Sequence, residues 1–226
     1  MSSHSLSRSV EDYLKAIYAL SEHGDAAATS AIAEALEVQP ASVTGMVKRL
    51  AEGGLVEHVP YKGVRLTGAG TTEALRVVRR HRILETYLCE RLGYSWDDVH
   101  EEAERLEHAA SDRLIAQMSR TLGAPSHDPH GAPIPPTTGT IEETDLATLA
   151  DASPGARLRI RAVRDEHSDD LRSMAEEGLV PGTSVTVGTE LTSDGSILVS
   201  FDKASRSGRP VTQELARQIY VVPDTP

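Results

Sequence analysis

The sequence predicts a mainly α-helical chain that ends in a β-rich tail, and three observations predict it. Apolar residues recur at helical spacing from Ser9 to about Leu122, interrupted by one short two-strand pattern before Thr72. A Pro- and Gly-rich stretch over 123–140, containing APSHDPHGAPIPPTTGT, then ends all periodicity. From Pro154 to Pro223 the apolar residues alternate as in half-buried strands. The 226 residues suffice for two or three small domains, expected over 1–73, 74–140 and 151–226.

In the first region Tyr13, Ile17 and Leu20 mark one helix, and Ile32, Ala33 and Leu36 a second that Thr29 or Ser30 can cap. Glu37-Val38-Gln39 breaks the pattern, and Pro40 suits the first turn of a third helix. That helix carries Val43, Met46, Val47 and Leu50 inward and ends at Gly53-Gly54. GGLVEHVPYKGVRLTGAG then reads as a β-hairpin wing with Lys62-Gly63 at its tip. The first domain is therefore expected to be a winged helix-turn-helix.

In the second region Leu75, Val78, Ile83, Leu84, Tyr87 and Leu88 form one apolar side, and a further helix runs from near Asp97 through Leu106, Ala110, Leu114 and Met118. Two long helices with so few aromatics are expected to bury a face against a partner, which makes this a helical dimerisation domain. In the tail, 158–161, 184–187, 197–200 and 219–221 read as strands, with turns at Pro181-Gly182 and Asp194-Gly195. The expected tail is an SH3-like β-barrel.

A net charge of −11 argues at first against a nucleic-acid partner. The charge is uneven, however: acids crowd Asp97 to Glu107, whereas Arg76, Arg79, Arg80 and Arg82 share one stretch. A second basic group, Lys48, Arg49, Lys62 and Arg65, brackets the third helix and the wing. Small polar residues on the outer face of that helix are what a major groove admits. Gln39, Ser42 and Thr44 are candidates for base edges or phosphates, Lys48 and Arg49 for phosphates, and Lys62 and Arg65 for the backbone beside the wing. No apolar run has the length of a membrane span, the start lacks a signal-peptide core, and a single cysteine excludes an internal disulfide framework. A cytoplasmic location is expected, and Cys89 is expected in the core.

His100, Glu104, Glu107 and His108 are spaced to share one helix face, where a divalent cation would relieve the repulsion of the two carboxylates. His81 and Glu85 form a second such pair, which alone reads as an ion pair. Oxygen and imidazole donors without sulfur suit Mn2+, and Fe2+ less distinctively. A hydrolase built on the same residues is disfavoured, because nothing resembles a nucleophile or general base beside an open coordination position. A winged-helix regulator sensing an organic ligand in its tail is a further alternative.

SVEDYLKAIY, HRILE, HEEAERLEH and DPHGAPIP, together with the three-domain order, resemble the diphtheria-toxin-repressor family, and within it the manganese transport regulators. The resemblance implies a metal-dependent repressor that binds palindromic operator DNA as a homodimer, with metal-transport genes as targets and no enzymatic activity. It implies a primary metal site of Asp12, Glu104, Glu107 and His108. Iron-responsive members resemble this with Met and Cys at the positions of Asp12 and Glu104. Some manganese members add a Glu one turn after the Asp to form a two-metal cluster; Lys15 stands there, so such a cluster is not expected. An ancillary site is implied at His81, Glu85 and His100, completed from the tail by Glu166 or else Asp169. Other members draw on the linker, where this chain offers Asp128 and His130.

Overall fold

In a computed structural model of the chain, the described residues are 6–21, 26–138, 146–164, 168–201 and 208–224. The chain divides into two compact units: Met1–His81 with Arg105–Ile115 and Pro135–Ile141, and Arg82–Glu104 with Ala116–Ile134 and Glu142–Pro226.

The first unit opens with α1 (Arg8–Leu20), α2 (Thr29–Ala35) and α3 (Pro40–Glu52). Their apolar positions repeat as the sequence predicts, and Tyr13, Leu14, Ile17, Ile32, Val43, Val47 and Leu50 form one buried core. Met46 is only partly buried at its edge. The expected cap of α2 is absent: Thr29 is already helical and Ala28 holds the cap position without a side-chain bond. Glu37 turns the chain between α2 and α3 with φ 52°, and Pro40 begins α3.

The wing is the antiparallel pair β1 (Val56–Val59) and β2 (Gly63–Leu66), paired from Val56↔Leu66 to Val59↔Gly63. Its tip is therefore Pro60-Tyr61-Lys62, and Gly63 already belongs to β2. Gly63 has φ 122°, and a Cβ there would stand 2.0 Å from the carbonyl oxygen of Ala27. Only glycine lets β2 pass this close, where Ala27 and Val64 exchange backbone hydrogen bonds of 2.8 and 3.0 Å.

The long helix α4 (Gly68–Tyr87) supplies residues up to His81 to the first unit and the rest to the second. It passes into a single π-turn, Leu88–Leu92, which Gly93 ends in the left-handed conformation. The single helix expected from Asp97 to Met118 is two: α5 (Val99–Leu106) and α6 (Asp112–Thr121). Ser111 accepts a hydrogen bond from the Leu114 backbone N–H, so a side chain starts α6 afresh. Glu107 and His108 consequently lie in the turn after α5 rather than on a continuous helix face.

In the second unit the described tail comprises β3 (Ala147–Thr148), β4 (Arg157–Val163), α7 (Ser168–Glu177), β5 (Ser184–Leu191), β6 (Ile197–Ser200), β7 (Arg209–Val211), α8 (Gln213–Ala216) and β8 (Ile219–Pro223). The strands form an antiparallel sheet in the order β3-β8-β4-β5-β6-β7, as an SH3-like domain. The four expected strands and both expected turns are present; β3, β7 and the two helices are additions. Leu171 and Met174, three apart on α7, enter the core with Ile160, Val185, Val199 and Ile219. Trp96 packs partly against that core, and its indole N–H donates to Pro129 O at 3.0 Å. Among the described residues no helix is long and apolar enough to cross a membrane.

Candidate metal centre

In the first unit α1 and the turn after α5 bring Asp12, Glu107 and His108 together, with one ligating atom of each within 4.8 Å of the others. Glu107 is fully buried, and His108 nearly so. His108 Nε2 lies 2.7 Å from Asp12 Oδ1 and 3.3 Å from Glu107 Oε1. Despite these distances, Nε2 is buried and has no aligned hydrogen-bond partner. Its lone pair and the carboxylate oxygens converge on common space instead of on each other, which is the arrangement a divalent cation fits.

The other ring nitrogen is held in place. His108 Nδ1 lies 2.6 Å from Oε2 of Glu11, and Glu11 Oε1 accepts from Arg80 at 3.1 Å. A carboxylate on Nδ1 places the proton there and leaves Nε2 as the acceptor. On the opposite side of Glu107, Lys15 Nζ donates to Oε1 at 3.1 Å and Oε2 at 3.0 Å. His81 Nδ1 stands 2.7 Å from Oε2 and 3.2 Å from Nζ. Burial pushes the Glu107 carboxyl up, but the hydrogen bond from His81 and the Lys15 ammonium outweigh it and hold the group below its ordinary value. Within this unit His81 therefore faces Glu107.

In the second unit Glu85 is fully buried. His100 Nδ1 lies 3.1 Å and His130 Nδ1 3.8 Å from its Oε1, and His100 Nε2 is 3.7 Å from Glu104 Oε1. Of the four residues implied for the primary site, Glu104 thus belongs to this unit. His130 is fixed by its Nε2, 2.9 Å from Trp96 O, with the two rings 5.1 Å apart. Asp128 accepts from the backbone N–H groups of His130 and Ala132, both at 2.9 Å, and its other oxygen lies 3.4 Å from Arg82 Nε. Asp169 is exposed and 3.5 Å from Arg172, and Glu166 lies outside the described residues. Cys89 is half-buried rather than fully in the core, and burial, with the charges of Glu85, Glu90 and Asp128, pushes its thiol up to about 11.

The outer face of α3 presents Ser42, Thr44, Lys48 and Arg49, all exposed, with Gln39 exposed just before it. Thr44 Oγ1 donates to Pro40 O at 3.2 Å, and Arg49 leans on Met46 with a 3.0 Å contact to sulfur. Lys62 and Arg65 are exposed on the wing, Arg65 lying 3.7 Å from Glu57. Tyr61, which sequence reasoning passed over, stands fully exposed at the tip. The arginines of α4 are each engaged by hydrogen bonds within their own unit. Arg76 and Arg80 hold Asp112, Arg79 donates to Pro135 O, and Arg82 to Pro133 O.

Two family models divide the first part of the chain: the iron dependent repressor N-terminal DNA binding domain matches 5–64, and the metal binding and dimerisation domain 67–136. A FeoA domain matches 147–223. The iron-dependent repressor IdeR of Mycobacterium tuberculosis is 31% identical over 203 residues, covering 84% of this chain and 86% of that protein. The chain belongs to the diphtheria toxin repressor family. It is accordingly a metal-dependent transcriptional repressor by family. The diphtheria toxin repressor of Corynebacterium diphtheriae itself is 34% identical over 148 residues, 66% of this chain and 64% of its own length. Among solved structures, a manganese-dependent transcriptional repressor in complex with manganese is 37% identical with a TM-score of 0.87, covering 95% of this chain and 99% of that one. The manganese regulator SloR is 31% identical with a TM-score of 0.79 over 95% of this chain and 98% of its own.

Glu11, which lies against His108, was not legible beforehand, and neither was the contact of Lys15 with Glu107. Glu11 is 97 residues from His108 in sequence, so no local spacing could pair them.

Proposed function

We propose that this repressor is manganese-dependent and binds palindromic operator DNA as a homodimer, in the cytoplasm, to regulate metal-transport genes. The observation that carries this reading is the convergence of Asp12, Glu107 and the lone pair of His108 Nε2, a donor set with oxygen and imidazole and no sulfur. Asp12 stands where iron-responsive members carry a Met, so the soft donor suited to iron is missing. The 37%-identical structural relative described with manganese supports the same metal. Fe2+ is the second reading, favoured by the likeness to the iron-dependent IdeR proteins.

A bound divalent ion supplies the positive charge that draws these acceptors together. Asp12 belongs to the segment matched as DNA-binding domain, whereas Glu107 and His108 belong to the dimerisation segment. Holding the three side chains together fixes α1, and with it the core on which α3 rests. In a dimer this sets the separation of two recognition helices, which must match half-sites about one helical turn, ~34 Å, apart. The metal can shift the equilibrium only by its differential affinity for the two arrangements.

The test is binding to DNA from upstream of the protein's own gene, with Mn2+, Fe2+ or chelator. Binding that appears with Mn2+ and disappears in chelator supports the proposal. Binding equally strong in chelator would contradict it, and activation by Fe2+ alone would favour the second reading.

A further inference from the structure

We propose that Lys15 is a built-in cation that fills the second cation position beside Glu107, so that this centre takes one divalent ion and not a pair. The inference rests on the metal-site reading above and adds its stoichiometry.

The carboxylate of Glu107 serves two places. Oε1 faces His108 Nε2 at 3.3 Å, on the side where Asp12 also converges. Oε2 faces His81 Nδ1 at 2.7 Å. A buried carboxylate with an imidazole beside each oxygen is what a pair of cations would share. Only the Asp12–His108 side leaves an acceptor lone pair without an aligned donor, at His108 Nε2. On the other side the Lys15 ammonium reaches Oε2 at 3.0 Å, Oε1 at 3.1 Å and His81 Nδ1 at 3.2 Å. It touches the carboxylate and imidazole that a second ion would require. Its side chain is 21% exposed against 0% for Glu107, so the pair is shielded from bulk screening.

Charge leads to the same conclusion. The described carboxylates nearest His108 and Lys15 are Glu11, Asp12 and Glu107, and Glu11 is already matched by Arg80 at 3.1 Å. Arg8 approaches Asp12 only at 4.0 Å and is largely exposed. With Lys15 on Glu107, one divalent ion more than neutralises the charge left on Asp12, and a second ion at Glu107 would lie against the ammonium.

The experiment uses the full-length protein and Mn2+ alone, read by equilibrium dialysis and electron paramagnetic resonance. Wild type is expected to show isolated Mn2+ at this centre, without the exchange coupling of two ions sharing a carboxylate. Lys15→Glu, which replaces the ammonium by a ligand, is expected to bind one more Mn2+ per protomer and to show coupling. Lys15→Gln removes the charge with little change of size, and should bind the first Mn2+ about tenfold tighter or more. A coupled pair in wild type would overturn the proposal. So would a folded Lys15→Glu with wild-type stoichiometry, or a Lys15→Gln that binds Mn2+ no tighter. Asp12→Ala separates the two readings: if it binds as much Mn2+ as wild type, the metal-site reading fails and takes the proposal with it.

Discussion

Glu11 is the clearest case of a residue acting through another. Its carboxylate sits 2.6 Å from His108 Nδ1 and is itself held by Arg80, so the imidazole has a fixed ring plane. Partners of this kind tune a metal ligand by orienting it and raising its basicity. Glu11→Ala is expected to weaken Mn2+ binding by about 10- to 100-fold, with Glu11→Gln retaining part of it; isothermal titration checks both. At this scale the sequence pointed to Glu107 and His108, because two carboxylates flanked by imidazoles at short spacing repel each other unless a cation joins them. Asp12 came only through likeness to a family. Glu11 and the contact of Lys15 with Glu107 were hidden because the partners lie 97 and 92 residues away and depend on how α1 meets the turn after α5.

Among the elements, α3 and the wing were legible for physical reasons: an apolar face at helical spacing, a proline at the start, and glycines where the backbone must turn. The break between α5 and α6 was not, since Leu106, Ala110, Leu114 and Met118 keep helical spacing through it. What decides it is the local competition of Ser111 for the next backbone N–H, a short-range polar effect that apolar periodicity does not record. The helix α7 escaped for a similar reason, because only Leu171 and Met174 mark its buried face between stretches of strand. The arginines of α4 looked like a basic patch, yet their partners Asp112, Pro133 and Pro135 are distant in sequence and engage them internally. Under the proposed function, α3 and the wing are the elements expected to meet phosphates. Lys48→Ala and Arg49→Ala should each weaken DNA binding across all sequences and reduce the salt dependence by about one unit of log–log slope. Fluorescence anisotropy over a salt series measures this; an unchanged slope would remove these residues from the phosphate contact.

Over the whole chain, the β-rich tail was legible because composition changes abruptly at the Pro- and Gly-rich stretch and periodicity changes after it, whereas the division into two compact units, which cuts through α4, was not. The ion pairs that tie each unit together were not. Asp112 is held below its usual value against burial by hydrogen bonds from Arg76 and Arg80, and Glu107 likewise by His81 and Lys15. A carboxyl lowered in the folded state contributes stability above its unfolded pKa and loses it as pH falls through the folded one. Metal-free protein should therefore keep its stability to the ordinary carboxylate range and lose it progressively below, visible as a falling urea midpoint between about pH 5 and about pH 3. A midpoint that rises over that range would contradict the assignment. Linkage adds a second consequence for the assembly: if metal tightens operator binding, operator must tighten metal binding by the same factor.

The most direct test of the central claim is operator binding by wild type and Asp12→Ala as Mn2+ is titrated. Asp12 joins the DNA-binding segment to Glu107 and His108, and its removal leaves the described core of the winged helix untouched. The account predicts that wild type gains DNA affinity with Mn2+, whereas Asp12→Ala remains a dimer and gains none at the same concentrations. Operator binding by Asp12→Ala with wild-type sensitivity to Mn2+ would contradict it.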